Sequence, residues 1–268
     1  TTEIYTAFYT LFLRAAFSKT IARPSFKEVS YAEIFDPITG RTFIGGLFRD
    51  ANDLAGIEYW DGNLTTTTIY NYDLRWELFG SDQQLISVSA FYKKFINPIE
   101  IVQFATQIGA FQPRNVGDGE VAGAEFEFRK NMKWIAPALQ NLSLQANFTY
   151  TKSRILLSAT ELESRTENAR SGQQIGAYRD MAGQAPYVVN AGISYKAPDN
   201  VFGSPEAGVY YNVQGPTLMF AGIADRPDIW SKPFHSLNFN ANVYVDKQKK
   251  MLISLKVDNI LNSKQESV

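Results

Sequence analysis

Apolar and polar positions alternate along most of this chain. The clearest run is residues 141–153, NLSLQANFTYTKS. Leu142, Leu144, Ala146, Phe148 and Tyr150 fall on one face, and Ser143, Gln145, Asn147, Thr149 and Thr151 on the other. A period of two held over about ten residues marks a strand, because successive side chains of an extended backbone point to opposite sides. The same rhythm runs through residues 237–245, 187–196 and 253–257, and more loosely through 68–79, 85–95 and 122–129. Residues 207–220 read as a weaker strand, and 5–20 as a long one whose early part is apolar on both faces. The pattern predicts nine strands. Short connections fall at 80–84, 131–140, 197–206 and 246–250; long ones fall at 21–67, 97–120, 158–186 and 215–234. Short turns at one rim and long loops at the other are the habit of outer-membrane barrels.

Alternation does not say which face meets water. A soluble barrel packs apolar side chains inward, whereas a large membrane barrel turns them to lipid around a polar interior. Here the polar face is rich in Asn, Gln, Ser and Thr, with mixed charges at Arg14, Arg75, Glu77, Lys93, Glu125, Glu127, Arg129 and Lys196. A surface bathed in bulk water carries more Lys and Glu, so this face reads as a wet lumen. The 14 Tyr, 19 Phe and 4 Trp make 14% of the chain, and such rings suit both strands and membrane–water boundaries. No run reaches the ~18 apolar residues of a spanning helix. Lys plus Arg (26) nearly balances Asp plus Glu (27), for a net charge of −1; phosphate neutralisation on a nucleic acid is therefore not expected. The absence of cysteine removes disulfides and thiolate chemistry, and the single histidine, His235, argues against a histidine-clustered zinc site. The first ten residues lack a basic n-region and a cleavage site. Either the mature protein begins here or the chain is a piece of something longer. Nine strands is an odd number and too few for a wide lumen, so the chain is expected to be incomplete.

An ordered set of segments resembles TonB-dependent outer-membrane receptors. It comprises LRAAFSKTIARPSF (13–26), NYDLRWELF (71–79), LISVSAFYKKFINPIE (85–100) and the block from Asn115 through VAGAEFEFRK (121–130). NLSLQANFTYTKS, GQAPYVVNAGISY (183–195) and LKVDNILN (255–262) continue it. The likeness covers nearly the whole chain, rests on the set rather than on one motif, and leans toward the Bacteroidota-like type. It implies an all-β fold: a partial transmembrane antiparallel β-barrel, about nine strands of a barrel of about 22, roughly strands 13 to 21. Residues 1–268 would then be the C-terminal part of one barrel domain, with the plug, the coupling box, the first barrel half and the last strand lying elsewhere. An open sheet with two long edges is unfavourable in lipid, so the chain is expected to belong to a larger receptor. The implied function is active uptake of a nutrient, whether siderophore, oligosaccharide or peptide, with no covalent chemistry and no cofactor. The implied partners are outer-membrane lipid, the TonB energy-transducing complex acting through the plug, the transported ligand and, as a further candidate, a surface lipoprotein. Two rivals stay open: a passive porin or the barrel of a secretion or adhesion complex, and a soluble all-β binding protein or barrel-borne hydrolase.

Particular residues also admit plainer roles. Pro24 removes a ladder donor and ends a strand. Glu125 and Glu127 lie about 7 Å apart on one face. That spacing suits a glycosidase pair, but a charge ladder with Arg129, Arg75 and Lys93 accounts for them without a cleft. His235 reads as a rim residue, and Gly117-Asp118-Gly119 as a loop turn rather than a phosphate cradle. Loop aromatics and arginines are the binding candidates: Tyr59 and Trp60 in the first long loop, Phe104, Phe111 and Arg114 in the second, Arg226 and Trp230 in the fourth. Such side chains suit a sugar, peptide or siderophore, and equally suit packing against a plug or partner.

Overall fold

The structure, a computed structural model, describes residues 9–81, 84–198, 200–246 and 248–268. Nine long strands form one antiparallel wall: β1 (Thr10–Ala22), β6 (Thr67–Phe79), β7 (Leu85–Ile96), β10 (Gly119–Asn131), β11 (Leu142–Leu156), β13 (Tyr187–Lys196), β14 (Glu206–Gln214), β17 (Phe234–Tyr244) and β18 (Leu252–Val257). Each pairs with the next along the chain, and β1 and β18 are the edges. The long connections carry shorter elements. The first holds β2 (Glu33–Asp36), β3 (Arg41–Ile44), β4 (Asp50–Asn52) and β5 (Ile57–Trp60). The second holds β8 (Ile99–Gln103) and β9 (Ala110–Asn115). The third holds helix α1 (Ala159–Glu167) and β12 (Tyr178–Arg179), and the fourth β15 (Thr217–Phe220) and β16 (Ile229–Ser231).

The register sorts the faces. Leu13, Trp76, Val88, Phe126, Phe148, Val189 and Val213 follow one another across seven strands as directly paired neighbours. Leu11, Leu78, Ile86, Phe128, Ala146, Ala191, Tyr211 and Leu237 form the next row. A slip of one residue at any pair would have broken these rows, because it moves a strand's whole apolar set to the other side. The opposite face carries Glu77, Ser87, Glu127, Asn147, Asn190, Asn212 and Ser236 in one row. The apolar face is open: Leu13 is 71% and Phe17 62% exposed. The buried apolar clusters lie instead at the loop end, around Ile44, Phe104 and Ala110, around Val102, Ala221 and Ile223, and where Val121 of β10 and Ile155 of β11 meet Met181 of the third long connection.

The nine wall strands are those the alternation predicts, with local differences. The reading over 207–220 covers two strands, β14 and β15, which turn apart at Gly215-Pro216 because proline has no N–H for the ladder. The first strand runs on to Ala22, just short of Pro24; the part of that reading before residue 9 lies outside the described residues. The long connections are folded rather than loose. β2, β3, β9 and β8 make a four-stranded sheet in which β3 runs parallel to β9. No helix among the described residues is long and apolar enough to cross a membrane, which says nothing about strands.

Candidate functional site

Two regions concentrate charge and hydrogen bonding: the polar face of the wall and the loop assembly at one rim. On the polar face, Glu77 accepts from Arg75 Nε at 2.9 Å and forms an ion pair, without a hydrogen bond, with Arg14 Nη2 at 3.2 Å. Arg75 also reaches Glu127 at 3.1 Å, and Glu127 takes Arg129 at 3.3 Å. The row ends in amides: Asn190 donates to Asn147 at 2.6 Å, and Asn212 donates to Asn190. Glycines give this face its relief. A Cβ at Gly192 would come within 2.6 Å of the Tyr210 ring, and one at Gly208 within 2.4 Å of its hydroxyl, so both positions exist to let the ring lie flat. A hollow of about 290 Å³ results, lined by Glu127, Arg129, Asn147, Asn190, Tyr210 and Asn212. Glu125 accepts from the Ser89 hydroxyl at 3.2 Å and has no ion pair among the described residues, whereas Glu127, held between two arginines, belongs to a charge ladder. Lys93 stands outside it, in the row of Asn71 and Val121.

The loop assembly is held by buried ionic links between segments far apart in sequence. Asp50 pairs with Arg114 and accepts the Ala105 and Thr106 amides at 2.7 and 3.2 Å. Arg114 Nε donates to Gln112 at 2.9 Å, and Gln112 donates on to the Gly45 and Phe48 carbonyls. A second chain joins three loops. Arg179 bridges Glu100 and Glu161, each at 2.7 Å, and Arg165 bridges Glu161 at 3.1 Å and Asp228 at 2.7 Å. The Ala182 amide donates to Glu100, and the Gly222 amide to Asp228. Burial pushes the Glu100 carboxyl above its ordinary value, and Arg179 only partly offsets this. Burial acts the same way on Asp228, but the bonds from Arg165 and the Gly222 amide outweigh it and hold that carboxyl below the usual range.

The sequence candidates all fall within this assembly, in different settings. Phe104, Phe111 and Arg114 are buried. Phe104 packs with Ile44 and Ala110 under the Arg114 guanidinium, 5.6 Å from its ring centre. Phe111 meets Phe220 at 4.4 Å between ring centres, with Arg41 over both rings. Tyr59, Trp60, Arg226 and Trp230 are half-buried. Tyr59 leans on the core around Val102, and the Trp60 indole donates to the Gly46 carbonyl at 2.7 Å. Arg226 donates to the Phe104, Gln107 and Ala105 carbonyls, tying the fourth loop to the second. It also lines a hollow of about 480 Å³ with Arg165, Arg170, Gln173 and Asp228. Trp230 pairs with Val268 through two 2.8 Å backbone bonds. His235 sits at the start of β17 on the apolar side, its Nδ1 2.6 Å from the Tyr211 hydroxyl. Asp50, Glu100, Glu161, Arg165 and Arg179 were missed from sequence, because nothing local distinguishes them from solvated loop charges. No group of three or more metal-ligating side chains is found among the described residues.

The model of the TonB-dependent receptor-like β-barrel family matches residues 4–260. No curated protein matches the chain. Among solved structures, the copper transporter OprC is similar with a TM-score of 0.57 at 16% identity, over 94% of this chain and 31% of that one. A mutant of the ferric enterobactin receptor PfeA from Pseudomonas aeruginosa is similar with a TM-score of 0.53 at 14% identity, over 94% of this chain and 32% of that one. The chain thus spans about a third of the length of the solved proteins it matches.

Proposed function

Because the chain belongs to the TonB-dependent receptor-like β-barrel family, we propose that it forms part of the outer-membrane wall of a receptor that actively imports a scarce nutrient. Residues 1–268 would be the C-terminal part of that barrel. The observation that carries the reading is the sorting of faces: apolar rows running across seven and eight of the nine strands on one side, amides and ion pairs on the other, and four long loops gathered at one rim. The apolar side meets lipid, and the polar side lines the passage and faces a plug through which the TonB complex acts. Outside the cell, the half-exposed Tyr59, Trp60, Arg226 and Trp230 are the ligand-facing candidates. Phe104, Phe111 and Arg114 would serve recognition indirectly, by holding the loops in shape. A siderophore, oligosaccharide or peptide fits such a surface, and a surface lipoprotein could cap it. The test is ligand uptake by cells expressing the full-length receptor, with and without the energy-transducing complex. Uptake that stops when the complex is deleted supports the reading; uptake that persists identifies a passive pore.

A further inference from the structure

On the apolar face, just above the hydrophobic rows, the register lines up a different set of side chains. Lys19, Tyr70, Lys94, Glu120 and Arg154 are directly paired neighbours across five strands, at the loop rim. One row lower, Phe17, Tyr72, Tyr92, Ala122 and Lys152 do the same. Lys19, Lys94, Lys152 and Arg154 are all exposed. Glu120 is the one carboxylate in the two rows; it faces Lys94 on one side and bonds Arg154 at 2.8 Å on the other. It therefore fixes one cation, Arg154, in place and leaves the row in positive excess, in a chain whose net charge is −1. The aromatic side chains beneath stack across strands, with Phe17 and Tyr72 at 5.0 Å and Tyr72 and Tyr92 at 6.0 Å between ring centres. The cations stop at β11: further round the same rim stand Tyr187, Val213 and His235. These side chains point away from the lumen, so they cannot touch a ligand in the passage.

We propose that this ledge is a binding site for phosphate-bearing lipid headgroups of the outer leaflet. It rests on the reading of the apolar face as lipid-facing. The chemistry fits in two parts. Neighbouring strands are about 4.8 Å apart, which sets Lys19, Lys94 and Arg154 at steps of about 10 Å, a span for a headgroup with more than one phosphate. Aromatic rings directly below seat the glycerol or sugar level and the upper acyl carbons, as they do at membrane boundaries generally. Cations near such a surface attract anionic lipid strongly enough to select it.

The test uses the full-length receptor in mixed micelles of phosphatidylcholine and phosphatidylglycerol in equal parts, with the retained lipids counted by native mass spectrometry. The expected result is excess phosphatidylglycerol, falling about fivefold with each of Lys94→Gln, Lys152→Gln and Arg154→Gln. Lys130→Gln, at the opposite rim, should leave retention unchanged. Equal retention of the two lipids, or excess retention unchanged in the triple variant, would overturn the site. Complete displacement of the lipid by inorganic phosphate would also overturn it, leaving a plain anion site. Extraction of the receptor from membranes by urea would instead overturn the barrel reading, and the ledge with it.

Discussion

At the residue scale, the loops are organised by buried charge. Arg179 is 7% exposed in its side chain and serves two carboxylates from different elements, Glu100 and Glu161. Removing one partner of a buried pair leaves the others uncompensated, at a cost of about 3–5 kcal/mol. Arg179→Met should therefore open the loop assembly, read as faster hydrogen exchange at the Ala182 amide while amides in β11 stay protected. Asp228 gives a pH-dependent counterpart. Its carboxyl is held below its ordinary value of 3.8, so the stability it supplies is fully present above that value and is lost as pH falls through the depressed one. Asp228→Asn should loosen the Gly222 amide at neutral pH, and the difference from the parent protein should shrink to nothing as pH falls through the depressed value. Glu100 works in the opposite sense: its raised value means that ionisation costs stability as pH climbs from the ordinary carboxylate range through the raised one. An acid-side loss localised to Asp228, without one at Glu100, is the signature.

At the element scale, the wall was legible and the loops were not. The period of two in 141–153 places Leu142 to Thr151 of β11 on their observed faces, because lipid-facing and lumen-facing demands repeat with the pleat and need no knowledge of distant residues. The folded loops depend on pairings across long stretches of chain. Arg226 meets the Phe104 carbonyl 122 residues away, and Arg114 meets Asp50 64 residues away. No spacing rule relates such positions. Composition makes the loop aromatics binding candidates but does not distinguish Phe111, buried under Arg41, from the half-buried Trp230. Face assignment has a direct energetic consequence. An arginine at Ala146 or Ala241 would meet hydrocarbon if these sites lie near the midplane, at a cost of about 2–4 kcal/mol. The same residue at Asn147, among the amides of the polar row, should be mild. Unfolding of the full-length receptor in lipid would show the contrast; equal losses at Ala146 and Asn147 would remove the basis for the orientation.

At the scale of the whole molecule, the features fit one design. The wall exposes apolar side chains that a water-soluble protein would bury, while its buried core sits above one rim. The sheet is open at β1 and β18, and backbone groups on such edges need partners in a bilayer. In the proposed receptor, the remaining strands of a larger barrel would supply those partners on both sides. The proposed orientation sets the apolar face of this sheet against lipid and the polar face against water. Spin labels placed singly at residues 144–149 of the full-length receptor, in native membranes, test it most directly. Accessibility to membrane-dissolved oxygen should peak at Leu144, Ala146 and Phe148, and accessibility to a water-soluble nickel complex at Gln145, Asn147 and Thr149. Water accessibility at all six positions, or the inverse alternation, would contradict it.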